Sequence, residues 1–241
     1  MPLKHLARSA VAGIVLAGCL PSSPTRQGQE VSGLYDIFML AAIGVFILVT
    51  ALMAWAVIRY RAREGEDELP AQTHGSMRLE VAWWAAPTVL VAALAVLTAV
   101  VLASVNSRAE EPAVTVNVEG FQWQWRFTYE GTDVVVTGTQ DDPPELVLPV
   151  GEPIAFVITS RDVIHSFSVP SFLIKRDAVP GRENRFDIEL TEQGTYSGQC
   201  GEFCGLLHAY QRFSIRAVAV DEFEAWLADA PTAAGGNDDD G

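Results

Sequence analysis

The chain has 241 residues, 49% of them hydrophobic, and a formal net charge of −14. That length allows one large domain or two small ones, and the excess of acid works against nucleic-acid binding and suits a basic partner. Apolar and acidic residues are each concentrated along the chain, which points to a membrane part followed by an acidic, water-facing part.

Lys4 and Arg8 precede a short apolar run, Ser9 to Gly18. Such a run is too short to cross a bilayer, so residues 1–18 are expected to be an export signal. It ends in Leu16-Ala17-Gly18-Cys19, which resembles a bacterial lipoprotein signal and implies a lipidated Cys19 as first mature residue. An ordinary signal with an incidental cysteine is the alternative. Residues 19–33 read as a polar tether. Two longer apolar runs follow: Leu34 to Ile58, with one charge at Asp36, and Ala82 to Val105, with none. Each reaches the roughly 20 residues that a spanning helix needs. Arg59, Arg61, Arg63 and Arg78 lie near the membrane ends of the intervening loop, and positive charge beside a span marks the cytoplasmic side. Residues 34–106 are therefore expected to form a transmembrane helical hairpin, with everything after Val105 outside. Glu80 stands at the cytoplasmic start of the second span, where the helix dipole favours a carboxylate.

From 107 to 230 the pattern is of short strands with Gly, Pro and Asp between them: AVTVNV, DVVVTG, ELVLPV, PIAFVIT, HSFSV, NRFDIEL, GTYSG and RFSIRAVAV. This spacing predicts a β-sandwich or Greek-key barrel. A helical pattern appears at Asp221 to Asp229, and residues 231–241 read as an acidic disordered tail. In FQWQWRFTY the odd positions, Phe121, Trp123, Trp125, Phe127 and Tyr129, are all aromatic. A period of two would put these rings on one face, mostly as core, although neighbouring tryptophans could also serve docking or electron transfer.

The stretch QCGEFCGLLHAYQ carries the chemistry. Cys200 and Cys204 are the only cysteines after Val105, and His208 and His165 the only histidines. A structural disulfide or a zinc site would use the same residues. The spacing is not that of a zinc finger, however. A β-sandwich holding one distant histidine and a Cys/His loop near its end is the plan of copper electron-transfer sites. Two thiolates would let a pair of coppers share bridging sulfurs.

The chain resembles subunit II of haem–copper cytochrome c oxidases over essentially its whole length, through the two spans, LEVAWWAAP, FQWQWRF, DVIHSFSVPSFLIKRDAVPGR and GQCGEFCGLLH. The resemblance implies a cupredoxin-like Greek-key β-barrel on a two-helix membrane hairpin, carrying a binuclear copper A centre. It implies that Cys200 and Cys204 bridge the coppers, that His165 and His208 each bind one, and that the backbone carbonyl of Glu202 is a further ligand. The Glu202 carboxylate would help hold magnesium against subunit I, Trp123 would receive electrons from cytochrome c, and Glu80 would open a proton path into subunit I. The implied setting is a bacterial cell membrane, in a complex with subunit I, other oxidase subunits and lipid. One position departs from the pattern: the family usually has methionine where this chain has Gln211. Its amide oxygen could take the axial position, or the position could be vacant. A nitric oxide reductase subunit and a zinc- or disulfide-stabilised binding domain remain as rivals.

Overall fold

The computed structural model describes residues 22–61, 72 and 74–230. The expected export signal, Cys19, Arg63 and the acidic tail lie outside these residues. The chain divides into two units, one of residues 33–103 and one joining the segment before Gly33 to everything from Ser104 on.

The first unit contains most of helix α1 (Arg26–Arg59) and of helix α2 (Met77–Val105). At about 1.5 Å per residue both exceed the roughly 30 Å of a hydrocarbon core. Both are apolar enough to cross a membrane, and their large side chains are exposed, including Phe46, Trp55, Trp83 and Trp84. Surface of this kind is stable only against lipid or another protein.

Helix α1 starts eight residues before the apolar run, inside the stretch expected to be a tether. Local chemistry explains the difference. Thr25 acts as the N-cap, its hydroxyl accepting from the Gly28 amide at 3.1 Å. Arg26 bridges to Glu30 one turn on at 3.1 Å. The polar residues here are also docked on the outer domain. Thr25 bridges to Leu190, Gln27 Oε1 accepts from the Glu189 amide, and Gln29 Nε2 donates to Thr191 Oγ1. Ser23, Thr25 and Gln27 are buried as a result.

The outer unit is a sandwich of two five-stranded sheets. The first has the order β3 (Val135–Thr137), β2 (Gln124–Tyr129), β1 (Val114–Phe121), β5 (Pro153–Ser160), β8 (Asn184–Glu189). The second has the order β4 (Glu145–Pro149), β10 (Arg212–Val218), β9 (Gly194–Cys200), β6 (His165–Val169), β7 (Ile174–Ala178). The pairs β1/β5 and β4/β10 are parallel and the others antiparallel. This is the cupredoxin-like architecture expected. Trp125, Phe127, Phe156, Phe167, Phe186 and Phe213 fill the space between the sheets, with Phe167 and Phe213 stacked at 4.6 Å. A short helix α3 (Val220–Asp229) covers one end through Phe223 and Trp226, which pack near Tyr129.

FQWQWRFTY is not one strand. It is a hairpin whose two-residue turn is Gln122–Trp123, with Phe121 paired to Gln124. Passing through the turn inverts the parity of the faces. Trp125, Phe127 and Tyr129 share the inner face with Gly120, Val118 and Val116, whereas Phe121 falls on the outer face. There it lies under the guanidinium groups of Arg126 and Arg161, at 5.7 and 5.3 Å.

Candidate metal centre

Three segments of the outer unit meet at one end of the sandwich. The first is the start of β6, where His165 is fully buried. The second is the segment 200–211 between β9 and β10. Its base is closed by the Cys200 amide donating to the Gln211 carbonyl at 2.9 Å, and it is tied to β6 by the Gly201 amide donating to Ser166 O. A single turn of 3₁₀ helix, His208–Tyr210, brings His208 back over the loop. The third is the β1–β2 turn.

These segments bring the side-chain donors together. His165, Cys200 and Cys204 place ligand atoms within 4.8 Å of one another. The sulfurs are 3.8 Å apart, and both cysteines are free. A disulfide requires about 2.05 Å, whereas two sulfurs each about 2.3 Å from one tetrahedral ion stand close to the observed spacing. Both imidazoles turn Nδ1 towards sulfur, His165 at 3.9 Å from Cys200 Sγ and His208 at 3.6 Å from Cys204 Sγ. The carbonyl of Glu202 lies 3.2 Å from Cys200 Sγ. The Glu202 carboxylate points elsewhere, to an ion pair with Lys175, which also reaches Asp177 at 3.4 Å.

Gln211 belongs to this cluster. It is fully buried, and its Oε1 accepts from His165 Nδ1 at 2.8 Å and from the Cys204 thiol at 3.0 Å. Its Nε2 donates to the carbonyls of Phe121 and Gln124 at 3.2 and 2.9 Å. The two carbonyls fix which end of the amide is nitrogen, and so aim the oxygen at the sulfurs and imidazole.

Three groups around this cluster were not nominated from the sequence. Asp162 Oδ1 holds His165 Nε2 at 2.9 Å, while its other oxygen accepts from the Gln122 amide. Gln122 Nε2 donates to the Cys204 carbonyl at 2.7 Å, beside the Trp123 indole N–H at 3.3 Å. Gly205, at φ +124°, allows this approach: a Cβ there would lie 3.0 Å from Gln122 Nε2 and 3.2 Å from the Trp123 ring. Position offered the only hint, Asp162 being three before His165 and Gln122 next to Trp123.

The electrostatics separate the two thiols. Burial raises the Cys200 pKa, but hydrogen bonds from His165, the backbone and His208 outweigh it and bring it to about 7. Burial and the charge on Cys200 push Cys204 up to about 12. Burial opposes the imidazolium of His165, yet its bonds to Cys200, Asp162 and Gln211 leave its pKa raised. Asp162, in turn, is held below the ordinary carboxylate value: burial raises it, and hydrogen bonds from His165 and the Gln122 and Val163 amides overcome that. Soft thiols, imidazoles and one or two carbonyl oxygens, buried together, fit a copper ion pair better than a hard cation.

Trp123 is half-buried beside Cys204, while Phe203 (81% exposed), Leu206 and Tyr210 stand out from the loop. Glu80 is in the first turn of α2, exposed and outside the cluster.

Two family descriptions and a set of relatives carry the assignment of this chain to a family. The descriptions "Cytochrome C oxidase subunit II, transmembrane domain" and "Cytochrome C oxidase subunit II, periplasmic domain" match residues 14–101 and 139–218. A probable cytochrome c oxidase subunit 2 of Streptomyces avermitilis is 31% identical over 94% of this chain and 86% of its own length. The chain belongs to the cytochrome c oxidase subunit II family. Membership makes it the electron-accepting subunit of a haem–copper terminal oxidase, set in the membrane with its C-terminal domain outside. Cytochrome c oxidase subunit 2 of Alkalihalophilus pseudofirmus is 34% identical over 89% of this chain and 64% of that protein. The crystal structure of the periplasmic domain of subunit II from Bradyrhizobium japonicum is 34% identical, covering 50% of this chain and 94% of that domain, with a TM-score of 0.46.

Proposed function

We propose that His165, Cys200, Cys204, His208 and the Glu202 carbonyl would hold the copper A pair of this subunit, with Gln211 Oε1 as a further donor in place of methionine. The convergence of two free thiols, two Nδ1 atoms and one oriented amide oxygen in a buried cluster carries the reading. When bound, the copper pair supplies a one-electron relay from cytochrome c to the haem of subunit I, where oxygen is reduced. The protein's own contribution is rigidity. The sheets fix His165 and Cys200, Asp162 holds the far nitrogen of the imidazole, and Gln211 is held through its Nε2 by the carbonyls of Phe121 and Gln124. Little can move when charge changes.

Trp123 is the proposed point of electron arrival, because its indole donates directly to the carbonyl of a ligand residue. Glu80 is the proposed mouth of a proton path into subunit I, on the strength of the sequence resemblance. The Glu202 carboxylate is proposed to reach magnesium at the junction with subunit I, for which Lys175 would shift wholly to Asp177. Cys19 is proposed as the lipidated residue.

The Gln211 amide oxygen would be a harder donor than a thioether and would favour Cu(II) over Cu(I), lowering the reduction potential. The central test is Cys200→Ser in the purified oxidase, read by copper analysis and by the mixed-valence optical and spin-resonance spectra. Loss of that signature is expected; a retained mixed-valence spectrum with normal electron uptake would refute bridging by Cys200.

A further inference from the structure

The two ends of the Gln211 amide touch different parts of the protein. The oxygen faces the ligand cluster, and the nitrogen donates to Phe121 O and Gln124 O. Those carbonyls bracket the turn Gln122–Trp123 on either side. We infer that Gln211 is a positioning residue for this turn, and that it couples the placement of the Trp123 indole to the loop carrying the metal ligands.

The rest of the turn's attachments support the assignment. The Gln122 side chain and the Trp123 indole both donate to the Cys204 carbonyl, and the Gln122 amide donates to Asp162 Oδ2 at 2.7 Å. The turn is therefore held from one side by Cys204, from another by the carboxylate that also holds His165, and at its base by Gln211. Gln211 is itself anchored, since its carbonyl accepts from the Cys200 amide. A carboxamide can do this because it carries two N–H donors and an acceptor on one rigid plane. A methionine offers no donor, so in this chain it would leave both carbonyls without the Gln211 bond, at a cost set by the burial of their surroundings. The consequence for the relay rests on the reading of Trp123 as the point of electron arrival; the positioning role does not.

The test uses the intact copper-loaded oxidase carrying Gln211→Met or Gln211→Glu. The glutamate keeps an oxygen towards the metal but loses both N–H donors, so it separates positioning from ligation. Hydrogen exchange of the segment 119–126 is expected to become about tenfold faster in each, from the loss of two hydrogen bonds. If the glutamate variant fails to assemble, the methionine variant decides alone. Its reduction by the donor gives a second, opposed readout: a thioether raises the potential and by itself would speed electron uptake, whereas a loosened turn slows it. Slower uptake despite a higher potential supports the proposal. Exchange within about twofold of the parent, with uptake faster, overturns it. Faster exchange together with faster uptake would keep the positioning role and remove Trp123 from the electron path.

Discussion

Gly120 tests how tightly the centre is packed. It lies on the inner face of β1, opposite Trp125 on one neighbour and Ser160 on the other. A Cβ added there would stand 3.1 Å from Trp125 Cζ3 and 3.2 Å from both Cβ and Cδ2 of His165. Ordinary carbon contacts lie at about 3.5–4.0 Å, so Gly120→Ala requires a neighbour to give by a few tenths of an ångström. Trp125 is fully buried and packed edge-on against Phe167 and Phe213, at 6.0 and 5.7 Å. The displacement falls on His165, whose Nε2 is held by Asp162 and whose Nδ1 faces Gln211 Oε1 and the Cys200 sulfur. Overpacking of this kind costs about 1–3 kcal/mol, and each 1.4 kcal/mol is about a factor of ten. Copper release to a chelator should therefore accelerate by about five- to a hundredfold, with a shifted optical spectrum and unchanged initial copper content. The assay is the decay of the copper absorbance of the purified oxidase after chelator addition. A parental rate with a parental spectrum would show that the imidazole is not pinned and that the site is not rigid.

Four further outcomes are expected. Tyr129→Phe removes a buried hydroxyl that donates to Val147 O at 2.8 Å and accepts from Val147 N at 3.0 Å; it should cost about 2 kcal/mol, seen as a lower temperature for loss of the copper chromophore. Trp123→Ala should slow reduction by cytochrome c in stopped flow while the copper spectrum stays intact, and full-speed reduction would exclude this residue. Glu80→Gln should slow steady-state turnover but not copper reduction by the donor; equal turnover across pH would leave Glu80 an ordinary helix-end residue. After copper is removed under reducing conditions, the Cys200 pKa near 7 and the Cys204 pKa near 12 set an order of alkylation. Only thiolate reacts, so Cys200 labelling should rise as pH increases through about 7, with Cys204 lagging; equal labelling in peptide mass spectrometry would contradict the split.

The membrane runs, most of the strands and the clustering of cysteines and histidines were legible because each has a strong local signature: unbroken apolarity, alternation, or rare residue types close together. What escaped was set by contacts distant in sequence. RQGQEVS reads as a tether by composition, yet it begins a helix, since Thr25 caps it and Leu190 and Glu189 receive it. The β7 segment IKRDA lacks apolar alternation because it is an edge strand, where charge is tolerated on open flanks. The alternation of FQWQWRFTY continues across a turn, so period alone put Phe121 on the wrong face. Gln211 stood out in the sequence only as a departure from methionine; its two-ended engagement depends on carbonyls 87 and 90 residues away.

The docking of residues 23–29 on the seam at 189–191 also sets an order of events during synthesis. Its hydrogen bonds join residues 162 to 167 positions apart. At about 5–20 residues per second, the first partner waits roughly 8–30 s for the second. The delay is kinetic rather than entropic, because closure cost grows only with the logarithm of loop length. Ser23, Thr25 and Gln27 are thus among the first outer-domain groups made and must remain solvated until β8 is complete. The metal loop follows within the next twenty or so residues, roughly 1–4 s later. Closing the seam and completing the cluster of cysteines and histidines therefore fall almost together, late in the making of the domain.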